Sequence, residues 1–279
     1  MVLKMQVSVI VSTYNQPEWL EKVLWGYNIQ SFKEFELIVA DDGSGKATRE
    51  VLERLTPRLS YPLKHVWHED RGFRKCEILN KAILAASTDY LVFTDGDCIP
   101  RNDFIEKHMK FRKKGYFLSG GCRRLSMDTS REIHLRDIES QACFNIRWLK
   151  QHGMRNSFRN NKLTRSSFKA FLLNFLTTTK ATWNGGNASG WREDIIRVNG
   201  FDERMEYGGE DREFGERLVN AGIRGLQIRY SAICLHLDHA RGYVNESALR
   251  KNKKIRKDTV CLKHVRTNFG IVKSEDSIC

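Results

Sequence analysis

An α/β architecture, one mostly parallel sheet with helices on both faces, follows from three features of this 279-residue sequence. Apolar runs of strand length alternate with segments whose apolar residues recur at helical spacing. Polar, Gly- or Pro-bearing turns separate them, and acidic residues collect where the strand-like runs end. In sheets of this kind ligands gather at the carboxyl ends of the strands.

Each element has its own justification. "QVSVIVSTYN" reads as a buried strand ending in a polar loop, and "PEWLEKVLWGYNIQ" as a helix with Pro17 in its first turn, where a missing N–H costs nothing. "FELIVADDGSG" repeats the pattern, with a β-rich run into Asp41 and Asp42, a Gly turn, and then the helical "KATREVLERL". "PLKHVWHED" is a third strand, "CEILNKAILAAS" a helix and "YLVFTDGD" a fourth strand. Beyond about residue 120 the alternation loosens into a Gly-rich "WNGGNASG", a helical "EDREFGERLVNAG" and a strand-like "GLQIRYSAICLHLDH". No repeat or low-complexity linker divides the chain, which predicts a single domain over 1–279.

Composition excludes several classes. No run approaches the ~20 apolar residues that span a bilayer, and the first residues pass straight into a strand without a small-residue cleavage site. The seven cysteines, Cys279 the last, are odd in number and form no C-x-x-C pair, which argues against a disulfide framework or a zinc cluster and predicts a cytoplasmic setting. In that setting the sequons at Asn187 and Asn245 carry no glycan. A net charge of +13 calls for anionic company: nucleic acid, an acidic membrane surface or phosphorylated small molecules. The excess is local. Between Ser140 and Arg192 there are nine Lys or Arg and no Asp or Glu, and a second basic cluster runs from Arg250 to Lys257.

"LVFTDGDCIP" carries the sharpest question. Asp95 and Asp97, one residue apart at a strand tip, repel each other unless a cation sits beside them, so the stretch asks for a metal ion and an anion for that metal to hold. The competing reading is ordinary Asp-Gly turn chemistry. Known nucleotide loops do not fit elsewhere. "DDGSGKAT" has Ala40 where a P-loop needs its first Gly and Ala47 where it needs Ser or Thr, and no G-x-G-x-x-G opens a helix.

"VSVIVSTYNQPEWLEKVLWGYNIQSFKEFELIVADDGSG" with "YLVFTDGDCIP" resembles the nucleotide-sugar half of family 2 glycosyltransferases of the GT-A fold. "WNGGNASGWREDIIRVNGFDERMEYGGEDREFGERLVNAG" is similar to the C-terminal module of β-1,4-galactosyltransferases and of chondroitin-polymerase-type enzymes. The resemblance implies inverting transfer of a hexose or N-acetylhexosamine from a UDP-sugar to a glycan or lipid-linked glycan, with Mn²⁺ or Mg²⁺ on the diphosphate. It divides the domain into a nucleotide-sugar-binding half (about 1–120), an acceptor and catalytic half (121–240) and a basic tail (241–279).

Residue by residue, the resemblance places Asp97 on the metal with a late histidine, His236 or in its stead His239. Asp95 and Gly96 go to the ribose and uracil side, Asp42 to the uracil N3–H, and Thr13, Tyr14 and Asn15 around the base. Arg71 and Arg74 fall in a loop suited to a diphosphate, and Trp183 with Gly186 in the wall of donor and acceptor. Asp211 becomes the general base and Glu210 a partner of sugar hydroxyls. The galactosyltransferases carry a third acid after that pair, where this chain has Arg212, which leaves acceptor choice open. For Glu210 and Asp211 the competing reading is a helix N-terminus, where acids complement the macrodipole.

Two other classes remain beside the transferase. Phe144, Trp148, Phe158 and Phe168 interleave the cations as in a single-strand nucleic-acid binder, which would explain the charge but not the acids at the strand ends; no nucleic acid is expected. An inactive nucleotide-sugar sensor would keep Asp42 and Asp97 without turnover. Finally, "SSFKAFLLNFL" puts Phe168, Phe171, Leu172, Phe175 and Leu176 on one helical face. That face belongs either in the core or near the acceptor opening on an anionic membrane surface.

Overall fold

The computed structural model describes residues 4–240 and 245–273; Cys279 lies outside them. The first half follows the expected alternation: β1 (Val7–Thr13), α1 (Pro17–Asn28), β2 (Phe35–Asp41), α2 (Lys46–Leu55), β3 (Leu63–Trp67), α3 (Lys75–Ala85) and β4 (Tyr90–Asp95). Then come β5 (Cys98–Pro100), α4 (Phe104–Phe111), β6 (Tyr116–Ser119), β7 (Gly121–Arg124), α5 (Met127–Glu132), α6 (Leu135–Glu139), α7 (Ile146–Gln151) and α8 (Ser167–Leu176). The chain continues through β8 (Ala188–Trp191), α9 (Arg192–Arg197), α10 (Glu210–Asn220), β9 (Arg224–Gln227), β10 (Ile233–His236) and α11 (Glu246–Cys261).

Seven strands form the main sheet in the order β3-β2-β1-β4-β8-β6-β9. All run in one direction except β8, which lies antiparallel between β4 and β6. The register aligns the strand tips, pairing Thr13 with Asp41 and Ser12 with Asp95. A second sheet, β5-β10-β7, sits beside those tips, and its antiparallel pair sets His236 opposite Cys98.

The alternation along β1 shows why the sheet is covered twice. Val7, Val9 and Val11 face the cluster that holds Leu20, Val23 and Leu24 of α1. Ile10, between them, faces the cluster of Ile78, Leu79 and Ile83 of α3. Each fully buried Val or Ile contributes about 1.5–3 kcal/mol of apolar burial, so a one-residue slip of β1 is strongly disfavoured. Inside β2, Glu36 is buried and satisfied. It accepts from the Ser8 hydroxyl at 2.6 Å and from the Ser87 N–H at 2.7 Å, and it pairs with Lys64 at 2.9 Å.

Three stretches of the second half take a form that the sequence left undefined. The end of the Gly-rich stretch, "ASGW", given no element from sequence, is a central strand: its small residues let β8 slot between β4 and β6, where the ring of the fully buried Trp183 packs on Gly190. The run from Gly225 to His236 is two strands in different sheets, interrupted at 228–232. Most of the described part of the basic tail is helix α11, packed on α10 through Thr259 and Arg256, which bond Glu213 and Glu216.

Candidate active site

Asp95 ends β4, and its Oδ1 accepts from the Ser12 hydroxyl at 2.8 Å and from the Lys75 ammonium at 2.7 Å. Burial pushes its carboxyl up, but the charge and hydrogen bond of Lys75, joined by Ser12, outweigh that and hold it below the ordinary range. The Gly96 N–H donates to the Ser12 carbonyl at 2.7 Å and closes the turn. Asp97, 8% exposed, lies at the start of the second sheet. Its Oδ2 is 2.9 Å from His239 Nε2 and 3.7 Å from His236 Nε2. The two imidazole rings are stacked with centroids 5.6 Å apart. Ligand atoms of Asp97, Cys98 and His236 fall within 4.8 Å of one another. A carboxylate and imidazoles at a strand tip fit a hard or borderline divalent ion such as Mn²⁺ or Mg²⁺.

The second half brings its acids to the same place. Gly208 and Gly209, with φ of +108° and +94°, turn the chain into α10, a conformation that side chains with a Cβ adopt only under strain. This turn aims Glu210 and Asp211. The Glu210 carboxylate accepts from the Gly208 N–H at 2.9 Å, and the Asp211 Oδ2 accepts from the Gly185 N–H at 2.9 Å. A Cβ on Gly185 would stand 2.7 Å from both Asp211 oxygens, and one on Gly186 3.0 Å from Asp95 Oδ2. The Gly185–Gly186 backbone is therefore wedged between the two aspartates, which explains why those positions carry no side chain.

Electrostatics make this cluster unusual. Burial and the neighbouring Asp211 push Glu210 up to about 7, against the pull of Lys75. Burial also raises Asp211, with Asp95 adding to it and Lys75 opposing. Asp211 is partly exposed as a residue, yet its Oδ1 is shut from solvent and has no hydrogen-bond partner among the described residues. Thr13 Oγ1, beside Gly96, is likewise buried and unpartnered. Lys75 is held well above its usual range, because the charges of Asp95, Asp211 and Glu210 overcome the burial that would lower it.

Around the next strand tips lies a second group. Asp42 Oδ1 is 2.8 Å from His68 Nε2, and Oδ2 accepts from the backbone N–H of Arg74 at 3.0 Å. Burial raises its carboxyl despite these partners. A carboxylate has about four acceptor positions, so two remain for a ligand. The Tyr14 hydroxyl donates to Asp70 at 2.8 Å, and Asn15, at φ +48°, accepts from the Gly45 N–H at 2.9 Å. Arg71 is exposed, and the Arg74 guanidinium turns toward Glu77 at 3.5 Å.

Of the residues named from sequence, Asp95, Gly96, Asp97, Gly186, Glu210, Asp211 and His236 form one cluster, with Thr13 at its edge. Tyr14, Asn15, Asp42 and Arg74 form the neighbouring one. Trp183 does not wall the site. It is 0% exposed and packs edge-on against Phe93 and Phe214, so it fixes the glycine loop from behind. Asn187 is also fully buried, donating to the Gly121 carbonyl at 2.7 Å, which rules out a glycan there in the folded chain. Lys75, Ser12 and His68 went unnamed. Lys75 stands next to Arg74 at the first position of α3, and the helix direction that turns it inward is not legible in the local sequence.

Residues 8–178 match the family model described as glycosyl transferase family 2, and residues 174–240 that described as the N-terminal domain of galactosyltransferase. Chondroitin synthase of Escherichia coli is 26% identical over 224 residues, 77% of this chain but 32% of that protein; the chain thus spans about a third of that relative. Two solved structures share the fold. The mannosyltransferase PcManGT of Pyrobaculum calidifontis, in complex with GDP-Man and Mn²⁺, has a TM-score of 0.59 at 21% identity, covering 94% of this chain and 63% of the other. TarS 1–349 of S. aureus, in complex with UDP-GlcNAc, has a TM-score of 0.62 at 16% identity, covering 90% and 65%.

Proposed function

The chain belongs to glycosyl transferase family 2, and from that premise we propose that this GT-A glycosyltransferase moves a hexose or N-acetylhexosamine from a UDP-sugar to a glycan acceptor, with inversion. The observation that carries the reading is the convergence of Asp95 and Asp211, from the two halves of the sequence, on the Gly185–Gly186 backbone, with Asp97 and two histidines beside them.

In this reading residues to about 120 hold the donor and residues 121–240 supply the acceptor side. Asp42 accepts the uracil N3–H on a lone pair that His68 and the Arg74 N–H leave open. Asp97 and His236, or His239 in its stead, hold Mn²⁺ or Mg²⁺, which when bound neutralises the diphosphate as leaving group. Lys75 keeps Asp95 ionised and offsets the crowding of three carboxylates. The acceptor hydroxyl oxygen forms a bond to the anomeric carbon as the bond to UDP breaks on the opposite face. Asp211, partly exposed beside Gly185, takes the hydroxyl proton. Glu210 holds sugar hydroxyls.

Asp211→Asn tests the assignment. The amide keeps the shape and the acceptor oxygen for the Gly185 N–H but takes no proton, so turnover should fall by roughly 10² to 10⁴ while UDP affinity, measured by calorimetry, stays unchanged. More than about a tenth of wild-type turnover in this variant would assign the base elsewhere.

A further inference from the structure

Five of the six large apolar side chains of α8 are exposed, and the sixth, Leu173, is half-buried. Phe168, Phe171, Leu172, Phe175 and Leu176 are 76, 62, 42, 77 and 61% exposed, and the Phe171 and Phe175 rings stack 6.5 Å apart. The helix is held by its opposite side instead. Ala170 is buried, and the Asn174 side chain donates to Ser231 Oγ at 2.9 Å and accepts from the Tyr230 N–H at 3.0 Å. An amphipathic helix in a water-soluble fold turns its large apolar residues inward; α8 turns inward an alanine, with Leu173 and Asn174 half-buried, and leaves five large apolar side chains out.

We propose that α8 seats this enzyme on an anionic membrane surface, with its Phe and Leu face in the headgroup boundary. Charge selects the occupant. The helix lies in the stretch 140–192, which has nine cations and no acid, and Lys169 on the helix and Arg159, Arg165 and Lys180 before and after it in the sequence are exposed. Apolar burial plus attraction to anionic lipid is what retains such a helix at an interface. A second copy of the chain fits less well. One face of a ten-residue helix, roughly 15 Å by 10 Å, is far below the ~800 Å² per partner of a stable protein interface, and two such basic stretches would repel. Among the described residues no helix is long and apolar enough to cross a membrane, so contact through this face is peripheral.

The C-terminal part of α8 is tied to the proposed transfer site in two ways. Residues 177–184 lead from α8 to Gly185, which holds Asp211, and Ser231, the partner of Asn174, stands just before β10 and His236. An acceptor carried on lipid would thus meet the site from the surface the helix rests on. That last step relies on the transferase reading; the docking itself does not.

The test is flotation with vesicles of phosphatidylcholine alone and with about 30% phosphatidylglycerol. Wild-type protein should float with the anionic vesicles, bind the neutral ones at least about fivefold less, and release as NaCl rises toward roughly 0.5 M. Phe171→Ser/Phe175→Ser, both exposed and so tolerated by the fold, should lose at least about tenfold in partitioning with an unchanged circular dichroism spectrum and unchanged UDP affinity. Arg165→Glu/Lys169→Glu should lose binding to the anionic vesicles alone. Absence of anionic-vesicle binding overturns the proposal, as does equal binding by the Phe variant. A wild-type dimer in sedimentation that the Phe variant converts to monomer would assign the face to a second copy.

Discussion

Asp95, Glu210, Asp211 and Lys75 place three negative groups around one positive group at the tips of the strands. Glu210 bears the cost. Its carboxyl, at about 7 in the folded chain against an ordinary 4.5, binds its proton more tightly folded than unfolded. Its contribution to stability is therefore present below about 4.5 and is lost as pH rises through about 7. Glu210→Gln removes that penalty while its amide oxygen still accepts from the Gly208 N–H. The variant should be more stable than wild type by roughly 1–3 kcal/mol at pH 8, with the gap closing toward pH 5, in urea unfolding at the two pH values. A variant no more stable than wild type at pH 8 would mean that Glu210 is already charged and content in the native state. Asp95 was legible as a carboxylate at a strand end of an α/β pattern, whereas Glu210 and Asp211, in the first turn of α10, were legible through the family resemblance. Lys75 was not, since nothing in "FRKCEIL" separates an inward lysine from a solvated one.

At the scale of elements, α10 carries Glu210 and Asp211 in its first turn and is itself clamped. Arg217 and Glu213, 1 and 2% exposed, make two parallel hydrogen bonds of 2.8 Å, while the guanidinium also reaches the Val198 carbonyl at 2.6 Å and Thr259 of α11 donates to Glu213 at 2.9 Å. Removing one partner strands a buried charge. Arg217→Met should cost about 3–5 kcal/mol in urea unfolding, and Arg217→Met/Glu213→Leu should recover most of it. A double variant as unstable as the single would show that the loss is one of shape and not of an unpaired charge. Helical periodicity made α1, α2, α3 and α10 readable. β8 was not, because "ASGW" has neither length nor β-branching, and only the gap between β4 and β6 makes it a strand. The apolar face of α8 was readable as a face, but whether it turns inward depends on what the rest of the chain offers it.

For the whole molecule, the sheet aligns its tips in register, the second sheet carries the histidines to Asp97, and the glycine loop joins the two halves at Asp95 and Asp211. Which half supplies which acid was legible as a resemblance; that the glycine backbone lies between them is a property of the packed chain. The account stands or falls on this cluster working as a donor and metal site. The direct measurement is UDP release by the intact protein from UDP-Gal, UDP-GalNAc, UDP-Glc and UDP-GlcNAc, with Mn²⁺, with EDTA, and with Mn²⁺ restored. The account predicts that at least one donor gives UDP release that EDTA abolishes and Mn²⁺ restores. Release that proceeds undiminished in EDTA, or no release from any of the four donors in the presence of Mn²⁺, would contradict it.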